Sequence, residues 1–351
     1  MIYAVTKPQS IYLGVGTHHF LIRQAIFVVI GIVLMFVTMA IDYRYFEEFG
    51  LLVYAGVIFL LLVVLSPIGK NVLGGQRWFQ IGPIQLQPSE LAIVGLILIV
   101  AFICSRRDIE NPKIFVLTLV AAGIPIGLVY LQPDLGTAII LGVTLLVMLV
   151  LAGVRARYLA VLISILLFAI LLVLHFGILK QYQVERLTAF LHPKNAPAAT
   201  VYSLQQSENA IGSGGFWGKG YGQGLETNLA FVPEQQTDFI FTSVGEQLGF
   251  VGTVSVIGVF ALMAWRLLRA VMLARDSYGK VIAAGTLGVL SFSVFENIGM
   301  TLGIMPITGI PLPFLSYGGT STVVFFVLVG LVLNIEMRRE SSEIGRFTPP
   351  E

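Results

Sequence analysis

Charge is the first thing this chain has little of. Only 11% of its 351 residues are Asp, Glu, Lys or Arg, while 56% are hydrophobic; a soluble domain is nearer one quarter charged. That balance describes an integral membrane protein. The net charge of +2 offers no basic surface for nucleic acid. Cysteine is almost absent: Cys104 stands alone, which excludes an internal disulfide and a Cys-rich metal site. The four histidines, His18, His19, His175 and His192, show no metal-ligand spacing beyond one adjacent pair. A basic start followed by a short apolar core is also missing, so no signal peptide is visible.

What the chain does have is long apolar runs. They fall at about 20–41, 47–66, 88–104, 114–131, 135–152, 158–178, 238–264, 281–304 and 317–335. Runs of about 20 residues suit membrane helices, whereas barrel strands would be about 10 and alternating. The expected fold is an all-α polytopic membrane helix bundle with nine visible transmembrane helices. It is read as a single integral membrane domain over 1–351, with a large extracytoplasmic loop at 179–236 and a cytoplasmic tail at 336–351. If the first residue lies outside, inside segments carry 13 of the 21 Lys and Arg, and four of the other eight sit in the one long loop. Positive charge is retained inside, so the C-terminus is expected inside and the N-terminus outside. An exported start without a leading helix leads to the expectation that a first helix is missing from this chain.

The stretch Val232–Gly249 ends the long loop and opens a membrane helix. Asp238 is expected in the first turn of that helix, with Thr242 and Glu246 following at four-residue steps on the same face. A carboxylate at the bilayer centre costs about 2.5–3.5 kcal/mol, so one retained within a span is a functional candidate by default. The alternative is an N-cap aspartate and a buried, hydrogen-bonded glutamate. Two more helices open on carboxylates. Glu90 follows Gln87-Pro88-Ser89, where Pro and an acidic residue suit a helix start. Asp134 follows Gln132-Pro133 as an N-cap. Glu296, inside the run 281–304, reads as a structural hydrogen-bonding group.

The long loop carries Gly212-Ser-Gly-Gly-Phe-Trp-Gly-Lys219-Gly-Tyr-Gly-Gln-Gly224. Its amides could cradle phosphate, with Lys219 adding a point charge; the plainer reading is a flexible loop. Gly220 follows Lys219, so the ATP-binding Gly-x4-Gly-Lys-Ser/Thr spacing fails. Glu185 and Arg186 bracket the same outer region or anchor at the headgroups. Residues 305–318 are apolar but broken by three prolines. They read equally as a re-entrant segment buried in protein and as a plain connection.

Several of these segments together resemble one family. They are Gln76-Arg77-Trp78 with Gln87-Pro-Ser-Glu90; Gln132-Pro-Asp134-Leu-Gly-Thr137; Ile211-Gly-Ser-Gly-Gly with Gly218-Lys-Gly220; Pro233-Glu-x-x-Thr-Asp238-Phe-Ile-Phe; Asn297-Ile-Gly-Met; and Gly309-Ile-Pro-Leu-Pro with Ser316-Tyr-Gly-Gly319. The chain resembles the SEDS (shape, elongation, division and sporulation) family over about residues 10–335, and its elongation branch more than its division branch. The resemblance implies a ten-helix fold, of which the first helix would be absent here. It implies a peptidoglycan glycosyltransferase of the bacterial cytoplasmic (inner) membrane that polymerises lipid II by inverting transfer, with a class B penicillin-binding protein and other elongation-complex proteins as partners. Asp238 matches the family's catalytic aspartate and is the expected general base. Lys219, Arg77, Glu90, Asp134, Glu246 and Ser316 form the expected substrate-binding set. No organic cofactor is implied. A divalent cation, Mg or Mn, is a candidate companion for the diphosphate, although no ligand set declares itself.

Two departures stand out. The family pattern Pro-Ser-Glu-x-Ala-Lys has Ile93 at the lysine, which would leave Glu90 without a partner. The loop reads Leu191-His192-Pro193-Lys194 where the family usually carries carboxylates, which weakens a metal or substrate role there. Two other classes stay open: a lipid II flippase using Glu246 and Glu296 as a polar path, and a catalytically weak scaffold for the penicillin-binding protein. Motifs crowded at the outer face, and the lack of a visible inverted repeat, favour the enzyme.

Overall fold

The structure, a computed structural model, describes residues 1–12, 16–72, 75–82, 84–107, 109, 111–176, 181–192 and 197–344. Residues 193–196 of the departure after His192, and 345–351 of the tail, lie outside the described residues.

Eight helices are long and apolar enough to cross a membrane: α2 (His19–Ala40), α3 (Tyr43–Val64), α4 (Pro88–Arg106), α5 (Pro112–Leu131), α6 (Leu135–Ala152), α11 (Ile240–Leu273), α12 (Ser277–Thr301) and α13 (Gly319–Ile344). The remaining expected span is helix α7 (Ala156–His175), apolar over Ala156–Phe168. The shorter helices are α1 (Ile2–Tyr12), α8 (Gln181–Leu191), α9 (Ala198–Ser213) and α10 (Leu225–Asn228). The stretch 179–236, expected as the large loop, contains α8, α9 and α10. The all-α expectation is corrected. Residues 67–87 build a three-stranded antiparallel sheet, β1 (Lys70–Val72), β2 (Gly75–Ile81) and β3 (Ile84–Leu86). Three short pairing strands satisfy backbone polar groups that a short connection beside the membrane could not leave bare.

Two compact units divide the chain. One comprises 28–167, 263–292 and 320–351. Helix α4 is its centre, buried nearly all round, and it packs on α3, α5 and α6. Helix starts follow local chemistry: Asp42, Asn111 and Asp134 cap α3, α5 and α6 by accepting from Arg44, Lys113 and Thr137 amides. Asn334 of α13 donates to the carbonyls of Thr38 (2.6 Å), Met39 (2.9 Å) and Ile41, closing the orphaned end of α2.

The other unit comprises 1–27, 168–262 and 293–319. It holds α1, α8, α9, α10, the start of α11, the end of α12 and the non-helical stretch 302–318. Its apolar centre is Ala210, Val232, Phe239, Met300 and Ile307, with Met305 packed against it. Helix α11 is broken at Gly249, whose φ of 65° and ψ of −160° are not helical. Thirty-four residues would make a rod of roughly 51 Å, well beyond the ~30 Å apolar core. The piece from Phe250 onward is by itself long enough to span.

Candidate active site

Asp238 lies in the turn just before α11, not in its first turn. The Glu234 carbonyl accepts from the amides of Thr237 (3.2 Å), Asp238 (3.0 Å) and Phe239 (3.4 Å), and Glu234 takes φ of 50°. One carbonyl serving three donors closes a tight turn that displaces the helix start to Ile240. The side chain of Asp238 is half-buried, while Phe239 beneath it is in the core.

The proline-broken segment is fastened to this turn. Asn297 Nδ2 donates to both Asp238 O and Ile310 O at 2.7 Å. The Ser316 hydroxyl donates to Thr237 O at 2.5 Å and accepts from the Leu312 amide at 2.8 Å. The Tyr317 amide donates to Gln236 O at 2.8 Å. Ile307, Ile310, Leu312 and Ser316 are buried, so the non-helical segment 305–318 is packed within the protein.

Gly309 brings three elements to one point. Its φ is +79°, and a Cβ there would stand 3.2 Å from Asp238 Oδ2 and 3.5 Å from Arg186 Nη1. Arg186 comes from α8, donates to Ile307 O at 3.5 Å and lies 5.8 Å from the Tyr182 ring centre. Glu296 of α12 is fully buried and accepts from the Thr308 hydroxyl. Its other oxygen, Oε2, has no hydrogen-bond partner among the described residues, and the charges of Asp238 and Arg186 act on it. The site is thus Asp238, Arg186 and Glu296 around Thr308 and Gly309, steadied by Asn297.

Sequence reasoning left Arg186 open between bracketing the outer site and anchoring at the headgroups. No sequence signal singles it out; in the structure it stands three residues from Gln183 and three from Ala189, both buried in α8. That spacing puts all three on one helical face.

Lys219 Nζ pairs with Glu246 Oε1 at 3.2 Å. Glu246 is fully buried and also accepts from the Glu226 amide (2.9 Å), the Thr227 amide (3.0 Å) and the Thr227 hydroxyl (2.7 Å). Gln235 continues this chain, donating to Thr227 Oγ1 at 3.2 Å and Thr242 Oγ1 at 2.9 Å. A polar seam joins Thr242 to Glu246 as expected, but its members satisfy one another.

The glycine-rich amides are engaged too, which corrects the phosphate-cradle reading. The amides of Lys219 and Gly220 donate to Glu246 O and Gln247 O at 3.0 Å, where the first piece of α11 ends. The amides of Phe250 and Val251, opening the second piece, donate to Gly215 O (2.9 Å) and Phe216 O (3.2 Å). The loop therefore supplies both sets of partners that a broken helix lacks. The approach is close enough that a Cβ on Gly218 would stand 2.2 Å from Gln247 O.

Arg77, Asp134 and Glu90 belong to the other compact unit. Arg77 donates to the carbonyls of Gln132 (3.0 Å) and Pro133, and lies 3.9 Å from Asp134 Oδ1. Asp134 caps α6 and accepts from Ser89 (2.9 Å) and Gln87 (3.0 Å) side chains. Glu90 is buried in the first turn of α4, with Ile93 buried one turn on. Among the described residues no three His, Cys, Asp or Glu side chains gather to hold a metal ion. The divalent-cation expectation thus finds no protein ligand set here.

Comparison with known proteins decides the kinship. A family model described as "Cell cycle protein", covering FtsW, RodA and SpoVE, matches residues 1–341. The chain belongs to the FtsW/RodA/SpoVE family. Among similar members, the "Peptidoglycan glycosyltransferase MrdB" of Escherichia coli is 37% identical, over 89% of this chain and 84% of its own. The "Probable peptidoglycan glycosyltransferase FtsW" of Geobacter metallireducens is 34% identical, over 97% and 91%. Names from both branches stand at about equal identity, so the family is shown and the elongation branch is not singled out. Two solved family folds are similar. A chain of a peptidoglycan synthase complex coordinating polymerization and crosslinking is 30% identical, covers 96% of both chains and has a TM-score of 0.79. The rod shape determining protein RodA of Thermus thermophilus is 28% identical, covers 96% of this chain and 94% of its own, with a TM-score of 0.69.

Proposed function

We propose that this chain is a peptidoglycan glycosyltransferase of the bacterial cytoplasmic membrane, polymerising lipid II into glycan strands during cell elongation. The observation that carries the reading is a half-buried carboxylate held in a fixed turn. Asn297, Ser316 and Tyr317 fasten the backbone on either side of Asp238, so its carboxylate has a defined position against a mobile substrate. Glycosyl transfer needs that: a base aligned on one hydroxyl gains most of its effect from geometry.

In the proposed step, Asp238 takes the proton of the acceptor hydroxyl as its oxygen attacks the anomeric carbon of the donor. The bond from that carbon to the diphosphate breaks, and the electron pair leaves with the diphosphate. A single displacement inverts the centre and needs one base and no covalent intermediate. Lys219, Glu246 and Ser316 serve in this reading as the framework behind the Asp238 turn. Arg77, Asp134 and Glu90 brace the other unit, and no substrate contact is assigned to any of the six. The elongation assignment rests on Thr237-Asp238-Phe-Ile-Phe. A class B penicillin-binding protein is the proposed partner, supported by the likeness to the synthase-complex chain.

Lipid II polymerisation by the purified protein with its class B partner tests the reading. Wild type should yield glycan strands. Asp238→Asn, still folded and partner-bound, should fall by at least about 10²-fold, the scale of a lost general base. Equal polymer from both would end the assignment of Asp238. No polymer from either, with lipid II scrambled across liposomes, would favour transport.

A further inference from the structure

We infer that Arg186 is the cation that receives the departing diphosphate of the donor, a catalytic role that rests on the glycosyl-transfer reading above. In that step the carbon–oxygen bond to the diphosphate breaks, its electron pair stays on the phosphate oxygen, and one unit of negative charge develops there. A guanidinium is the side chain best matched to that charge, because it presents five N–H donors in a planar fork.

The geometry selects this arginine. Arg186 Nη1 and Asp238 Oδ2 converge on the bare Cα of Gly309, at 3.5 and 3.2 Å from where a Cβ would be. Base and diphosphate receiver thus both pack against the same glycine, where any larger residue would push them apart. The cations the sequence suggested are occupied elsewhere: Lys219 by Glu246, and Arg77 by Asp134 and the carbonyls of Gln132 and Pro133. Arg186 donates to Ile307 O at 3.5 Å, a long bond that leaves its fork able to turn to an anion. Tyr182 beneath the guanidinium keeps it near the site without consuming donors. The Asp238 carboxylate repels an incoming diphosphate, so the site needs a cation, and Arg186 supplies one.

The experiment pairs polymerisation with direct binding of a leaving-group probe, farnesyl diphosphate in detergent at fixed ionic strength. The full chain with its class B partner is used as wild type, Arg186→Ala, Arg186→Lys and Asp238→Asn. Arg186→Ala should lower polymerisation by about 10²-fold or more, the scale of removing one transition-state charge partner. It should also weaken probe binding by about tenfold, as the loss of a charge-assisted contact does. Arg186→Lys, which keeps the charge and loses the fork, should fall between. Asp238→Asn, which removes a repelling charge, should bind the probe at least as tightly as wild type. Should it polymerise normally, the base assignment fails while probe binding still decides the role of Arg186. Unchanged probe affinity in Arg186→Ala overturns the inference, whether or not polymerisation falls, since Arg186 would then act only by holding the site's shape. If Arg186→Ala loses its cooperative thermal transition, Arg186→Lys decides by the same readout, and wild-type affinity there together with wild-type turnover overturns it.

Discussion

At the scale of single residues, position matters more than residue type. Asn297 and Asp238 are far apart in sequence, yet one amide nitrogen holds the Asp238 carbonyl and the Ile310 carbonyl together. Removing a donor from buried carbonyls costs roughly 1–3 kcal/mol for each one left unpaired. Against that, the buried Asn297 Oδ1 atom has no hydrogen-bond partner among the described residues, so its removal relieves part of the cost. Asn297→Ala should therefore destabilise by about 2–4 kcal/mol, read as a lower thermal midpoint in detergent, and should depress polymerisation more than binding. Asn297→Asp, almost the same shape, should be worse, because a carboxylate cannot donate to either carbonyl. A midpoint for Asn297→Asp equal to wild type would mean the two bonds are not holding the turn.

At the scale of elements, the break in α11 and the glycine-rich loop are one structure. The loop's amides and carbonyls complete both broken ends of the helix, and the glycines are there because backbone meets backbone. Two loop glycines make a clean contrast. Gly218 and Gly222 both have positive φ, +81° and +72°, but a Cβ on Gly218 would meet Gln247 O at 2.2 Å while one on Gly222 would meet nothing within 4 Å. Gly222→Ala should thus cost only the left-handed backbone penalty, about 1–2 kcal/mol. Gly218→Ala adds the clash and loosens the neighbouring bonds, worth roughly 0.5–1.5 kcal/mol each, for a total of about 3 kcal/mol or more. Thermal unfolding of the two variants checks this; equal losses would show that close approach is not what the loop requires.

At the scale of the whole molecule, the expected orientation comes from Lys and Arg placement alone. Thirteen of 21 fall on the side that also carries the C-terminus, and positive charge resists translocation. A reporter fused after residue 351 should therefore be active only if it works in the cytoplasm, and one inserted between α9 and α10 only if it works outside. Reversal of both signals would overturn the orientation and, with it, the assignment of the Asp238 site to the side where glycan strands are built.

Much of this protein was legible in its sequence, because the bilayer imposes a strong one-dimensional code. Apolar runs of membrane-spanning length located the eight described helices long and apolar enough to cross a membrane, and the cap at Asp134 follows from local backbone chemistry. Asp238 stood out because it falls in the Pro233-Glu-x-x-Thr-Asp238-Phe-Ile-Phe stretch that carries the family resemblance. What one dimension could not carry was pairing at a distance. That Lys219 is taken by Glu246, that the glycine amides are spent on the ends of a broken helix, and that residues 67–87 pair as strands all depend on which segments meet. Arg186 shows the same limit: in sequence it is one cation after a helix, and only the meeting of α8, the Asp238 turn and Gly309 puts it at the site. Composition and periodicity determined the class of protein and its elements; the long-range contacts of buried polar groups, which must be satisfied somewhere, decided which charged residues were left for chemistry.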